Sequence, residues 1–232
     1  MGYSNDQRPL QEGVNLKHVV LMILLLGLLL FRPLVPSEVV DAVFLPTMIV
    51  SAWLAGGKTR GSLIVTVVSS LGAFGVLLFD LLAHEQFSTF FRQPLGFPVA
   101  AALLVLFVYS AVVILRSLLT TERVFVNEII GTFNLYLIMG YIWSYVYLLL
   151  ELTSPGSFES ATASGNLGLR FIYFSFVTLT TVGFGDTVPA SPMAQMLVVL
   201  EAIIGQFYVA VVVAYLVSMF IIHELASRNK DD

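Results

Sequence analysis

Apolar residues along this chain gather into six stretches, near positions 19–35, 39–55, 61–82, 97–119, 125–151 and 193–222. The third to sixth hold 22 or more residues each. About 20 helical residues cross a hydrocarbon core, so each of these four is expected to be a membrane-crossing helix. The first two are shorter and Pro46 interrupts the second, so they are expected to be tilted or to form a shallow hairpin. A seventh helical piece, Gly168 to Thr180, is too short to cross and runs directly into glycines.

Composition turns this pattern into a membrane assignment. Hydrophobic residues make up 58% of the 232 positions, charged residues 11%, and the mean hydropathy is +0.92. A soluble domain carries roughly a quarter charged residues, so this much charge cannot cover a globule of this size. The net charge of −4 has no acidic or basic run behind it, which gives no reason to expect a nucleic-acid partner. The absence of cysteine excludes disulfides, thiolate chemistry and Cys-based metal sites. The first apolar run has a polar leader with Arg8 and Lys17, in the manner of a signal peptide. It is followed by Arg32, Pro33 and Pro36 rather than by small residues, so a retained first helix is expected.

Loop charges set the orientation. With the N-terminus inside, the cytoplasmic segments hold Arg8, Lys17, Lys58, Arg60, Arg116, Arg123, Arg228 and Lys230, against Arg32, Arg92 and Arg170 outside. Eight against three obeys the positive-inside rule and puts the 152–192 loop outside. The expected organisation is a cytoplasmic tail (1–18), a four-helix membrane domain (19–120), a pore domain (121–222) and a short cytoplasmic tail (223–232), with no soluble domain attached. The polar turret, Thr153 through Asn166, is expected to be a mobile loop.

The chemistry lies in that outer loop, in the run Thr181-Val182-Gly183-Phe184-Gly185-Asp186. A potassium ion entering a narrow pore must exchange its water shell for fixed oxygens, and rings of backbone carbonyls supply them when four strands line one axis. Successive carbonyls of an extended chain point in opposite directions. Gly183 and Gly185 can take positive φ without a Cβ clash, which turns the alternate carbonyls inward as well. Thr181 adds a hydroxyl ring at the inner end. The short preceding helix aims its partly negative C-terminal end at the pore centre. Irregular backbone at membrane depth is tolerated only where it is buried or lines the ion path.

These residues match the potassium-channel signature, and the chain resembles that superfamily over roughly 125–222, most closely its small prokaryotic members with a two-helix pore. The resemblance implies an all-α membrane protein with six helices per subunit, a re-entrant pore helix and filter loop, and a homotetramer in the cell membrane. Potassium would bind at Thr181, Val182, Gly183, Phe184 and Gly185, with no other cofactor. Filter support would fall to Tyr173, Phe174, Asp186 and Glu201. Two departures from the family are linked. The filter aromatic is Phe184 where Tyr is commonest, and Tyr173-Phe174 stand where many members carry two Trp. Phe174 would meet a neighbouring subunit's Phe184 by apolar packing alone. Tyr173, thirteen residues before Asp186, would donate its hydroxyl to that acid, unless it is an ordinary interfacial aromatic.

Four further features sit on the helices. Gly205, twenty residues after Gly185, is expected to be a hinge or a point of close helix packing. Glu201, one turn earlier at apolar depth, is expected to bond the pore-helix hydroxyls of Ser175 and Thr178 behind the filter. Gln206 would face a water-filled cavity, and His223 a solvent-exposed helix end. The fourth stretch carries only Arg116, at its cytoplasmic end, where a voltage sensor needs several arginines along one helix. Strong voltage gating is therefore not expected. A poorly selective cation channel, a potassium-transporter subunit and a non-conducting partner are the competing functions.

Overall fold

The computed structural model describes residues 16–31, 85–120, 126–161 and 166–231. The second and third predicted stretches, 39–55 and 61–82, fall outside these residues. The described elements are α1 (Leu16–Phe31), α2 (Glu85–Thr120), α3 (Val126–Thr153), β1 (Phe158–Ser160), α4 (Leu167–Leu179), β2 (Thr187–Pro189) and α5 (Pro192–Asp231). Two of them contain segments long and apolar enough to cross a bilayer, Ile129–Thr153 in α3 and Pro192–Val212 in α5. The apolar stretches of α1, α2 and α4 are shorter.

Helix α3 is the hub, with α1, α2 and α4 packed on it and α5 closing over α4. Each neighbour presents one helical face. Leu21, Leu25 and Leu28 of α1, and Ala100, Leu103, Phe107, Ser110 and Ile114 of α2, recur at three- and four-residue spacing and are buried, the apolar ones in one cluster with Ile138 and Tyr141 of α3. Lipid tails are as apolar as leucine, so packing and polar contacts, rather than water exclusion, hold such helices together. Phe107 stacks on Tyr141 at 5.2 Å, and the Tyr141 hydroxyl donates to the Leu25 carbonyl at 3.0 Å. Asn134 Nδ2 donates to the His18 carbonyl at 2.9 Å. Helix α2 begins at Glu85, twelve residues before the apolar stretch that predicted it. Hydropathy marks where a helix is apolar, and a helix can continue past that stretch into polar sequence.

The ends of α4 and α5 follow from local chemistry. Asn166 caps α4, its Oδ1 accepting from the Gly168 and Leu169 amides at 2.9 and 3.3 Å. Ser191 caps α5 through Oγ, which accepts from the Ala194 amide at 3.2 Å, and Pro192 takes the first helical position, where its missing N–H costs nothing.

The expected all-α class needs one amendment, and with it the turret. Strands β1 and β2 pair antiparallel, Phe158 opposite Pro189, Glu159 opposite Val188 and Ser160 opposite Thr187. The loop expected to be mobile is instead tied down over 154–161. Glu151 at the end of α3 accepts from the Gly156 amide (3.0 Å, Oε1) and the Phe158 amide (3.1 Å, Oε2). The Ala190 and Ser191 amides donate to the Ser157 carbonyl at 2.8 and 3.2 Å, and the Ala161 amide to the Asp186 carbonyl at 2.9 Å. Polar turn residues suggested solvation, yet their backbone groups are satisfied by the Glu151 carboxylate and by the segment that follows the Thr181–Gly185 loop.

Candidate functional site

Helix α4 ends where the Thr181–Gly185 loop begins. The Thr181 amide donates to the Thr178 carbonyl at 2.9 Å, and the Val182 and Gly183 amides to the Val177 carbonyl at 3.0 and 3.4 Å. The loop thus springs from the negative end of a 13-residue helix. Its backbone alternates in hand. Thr181, Gly183 and Gly185 have φ of +61°, +57° and +76°, while Val182 and Phe184 between them stay at negative φ. Alternation with a period of two cancels the two-residue alternation of carbonyl directions in an extended strand, so that successive carbonyls face one side. The glycines adopt this hand freely. Thr181 does not, and a β-branched residue at positive φ is a strained conformation of the kind that clusters at functional sites.

Around the loop, Tyr173 of α4 does two things. Its hydroxyl is on the side of Asp186, whose carboxylate acts on it electrostatically. Its ring lies parallel to that of Phe184, with centroids 6.3 Å apart and planes within 2°. Asp186 in turn accepts from the Thr187 amide at 3.1 Å. Phe174, expected to pack on a neighbouring Phe184, is directed elsewhere. Consecutive helix positions differ by about 100°, so its side chain leaves α4 on a different face from that of Tyr173. It is buried in an aromatic cluster of its own subunit, 5.4 Å from Tyr147, 5.6 Å from Phe158 and beside Phe171. The aromatic of α4 that faces the Thr181–Gly185 loop is Tyr173.

Behind the loop, Glu201 is fully buried. Its Oε1 lies 2.5 Å from Ser175 Oγ, and its Oε2 accepts from the Tyr147 hydroxyl. Ser175 is the partner expected from sequence. Tyr147 stands in the role expected of Thr178, because it projects from α3 into the same gap. Gly205 is buried where α5 passes the end of α4. A Cβ there would lie 2.7 Å from Leu179 Cδ1 and 3.3 Å from the Leu179 carbonyl oxygen. Close packing thus accounts for this glycine directly. Gln206, next to it, is exposed in the single chain.

Sequence reasoning passed over three contributors. Glu151 had a visible signal, since an acidic residue at a helix C-terminus opposes the dipole and calls for a specific partner. Gly140 had one too, as a small residue in an apolar helix: its position faces the Phe176 ring. Tyr147 carried none, being one aromatic among many.

Comparison with known proteins finds matches over less than half of the chain, and the family match takes in this site. A family model described as an ion channel matches residues 132–221. The inward rectifier potassium channel Kirbac3.1 of Paramagnetospirillum magnetotacticum is 33% identical over 110 residues, 45% of this chain and 33% of that protein. The two pore potassium channel c of Oryza sativa subsp. japonica is 34% identical over 64 residues, 28% of this chain and 14% of that protein. Over residues 132–221 the chain is similar to ion channels, and the two relatives that match it are potassium channels. The two crossing-length apolar segments of α3 and α5 fit a membrane protein, as does the similarity to ion channels. The family-model match spans most of α3, all of α4, the Thr181–Gly185 loop and most of α5. The chain aligns with a third or less of the length of these two relatives, and no solved structure matches it significantly.

Proposed function

We propose that this chain is a subunit of a homotetrameric channel conducting potassium selectively and passively across a cell membrane. The observation that carries it is the alternating hand at Thr181, Gly183 and Gly185, which turns a run of carbonyls to one side at the C-terminal end of α4. In this reading α4 is a re-entrant pore helix, Thr181 to Gly185 form the filter, and four copies complete each ring of oxygens. The exposed apolar face of α5, including Met196, Ile203, Phe207 and Val211, is the surface that neighbouring subunits and lipid cover. Positive charge counted along the loops favours cytoplasmic termini and an outward filter. A lone arginine at the end of the apolar part of α2 favours weak voltage dependence. The potassium channels among its relatives favour potassium over other cations.

Purified protein in liposomes should carry potassium and rubidium flux, should be blocked by barium, and should have the mass of four chains in detergent. A well-folded tetramer without flux would favour the non-conducting alternative instead.

Tyr173 and Asp186 supply a second test. With Phe at 174 and 184, a bond from the Tyr173 hydroxyl to Asp186 is, in this reading, the main polar tether on the outer filter. Tyr173→Phe deletes only the hydroxyl and Asp186→Asn only the charge. Each should change the rate of filter inactivation with assembly intact, and the double variant should differ little from either single one. Fully additive effects on that rate would remove the tether from the account.

A further inference from the structure

Behind the loop, one carboxyl group joins three helices. Glu201 of α5 meets Ser175 of α4 at 2.5 Å through Oε1 and the Tyr147 hydroxyl of α3 through Oε2, with no exposure of the residue. Ser175 Oγ also lies 2.8 Å from the Gly140 carbonyl oxygen of α3. Counting protons decides the state of this group. Ser175 has one hydroxyl proton but stands within bonding distance of two oxygens. An ionised carboxylate can only accept, so one of those short oxygen–oxygen contacts would then have no proton in it. The carboxylic acid removes the conflict: Glu201 donates to Ser175, Ser175 donates to the Gly140 carbonyl, and Tyr147 donates to the other carboxyl oxygen. The remaining titratable group close to Glu201 is Tyr136 of α3, whose hydroxyl is engaged with the Leu179 carbonyl at 3.3 Å. No arginine or lysine among the described residues pairs with Glu201, and a lone buried charge at membrane depth is costly.

We propose that Glu201, held as the neutral acid, is the positioning residue that fixes the pore helix to both membrane-crossing helices behind the filter. The proposal rests on the channel reading and extends it. Ser175 lies two residues before Val177, whose carbonyl holds the Val182 and Gly183 amides, so a displacement of α5 or α3 is passed through one carboxyl to the filter backbone. A fully satisfied buried network rigidifies its surroundings, and a partly satisfied one does not.

Infrared spectra and single-channel recordings of the full-length protein test this together. The spectrum at neutral pH should contain a protonated carboxylic-acid carbonyl band that disappears in Glu201→Gln. In bilayers Glu201→Gln, which keeps a donor and an acceptor, should hold the conducting-filter occupancy within about two-fold of the parent, while Glu201→Ala lowers it about ten-fold or more. Should Glu201→Ala not assemble, Ser175→Ala, which deletes both bonds of its hydroxyl, and Tyr147→Phe, which deletes one, should each lower the occupancy, and non-additively when combined. The proposal is overturned by an absent band, by Glu201→Gln as damaging as Glu201→Ala, or by variants that all conduct normally. The band needs no ion flux to be seen, so a band present without any potassium current sinks the channel reading rather than the network.

Discussion

Gly183→Ala should abolish potassium conduction while leaving the tetramer intact. Gly183 has φ of +57°, and a Cβ there meets nothing within 4 Å in the single chain. Space is therefore not the obstacle. An L-residue pays roughly 1–2 kcal/mol for the left-handed region, and four copies around one axis add that cost at one level of the filter. The loop already holds Thr181 at positive φ, so little tolerance is left for a second strained residue. Relief by a flip of the peptide would turn a ring of carbonyls away from the axis. Unitary potassium current should fall at least about a hundred-fold on that scale of strain, with the mass in detergent unchanged. Near-normal current in Gly183→Ala would mean that the alternating hand is not what lines the ion path.

The second large effect is on stability. A Cβ at position 140 would stand 2.6, 2.8 and 2.9 Å from three ring atoms of Phe176. A rigid ring cannot yield as the free end of an aliphatic chain can. This one also packs edge-on against Tyr141, with centroids 5.7 Å apart. Gly140→Ala should therefore cost roughly 1–3 kcal/mol by overpacking, read as a lower unfolding temperature in detergent. Because the Gly140 carbonyl is part of the Ser175 network, filter behaviour should shift along with stability. Phe176→Leu in the same chain opens room and should restore most of the loss. If the two substitutions destabilise additively, α3 and α4 are not in the contact described.

Legibility in the sequence varied with the kind of signal. The stretches 125–151 and 193–222 correspond to α3 (Val126–Thr153) and α5 (Pro192–Asp231), because twenty or more apolar residues make a long-range pattern that local detail cannot hide. The short helix expected over Gly168–Thr180 lies within one residue of α4, fixed by its Asn166 cap and the following glycines. The positive φ at Gly183 and Gly185 was legible because backbone freedom is written in the residue type. That at Thr181 was not, since nothing in a threonine announces it. Three-residue strands are too short to carry periodicity, so the β1–β2 pairing and the ordered turret it creates left no trace. Side-chain partnerships between helices were half visible. Charge at apolar depth marked Glu201, and proximity in sequence to the filter marked Ser175. Tyr147 depends on how α3 is rotated against α4, which no pattern in one helix specifies. The same rotation separates Tyr173, facing Phe184, from Phe174, buried beside Tyr147.

The most direct measurement of the central claim is the reversal potential of the purified protein in a planar bilayer, with potassium on one side and sodium on the other. Thr181 to Gly185 as a potassium filter predicts a large reversal potential of the sign carried by potassium, while an equal-permeability pore would reverse close to zero and contradict it.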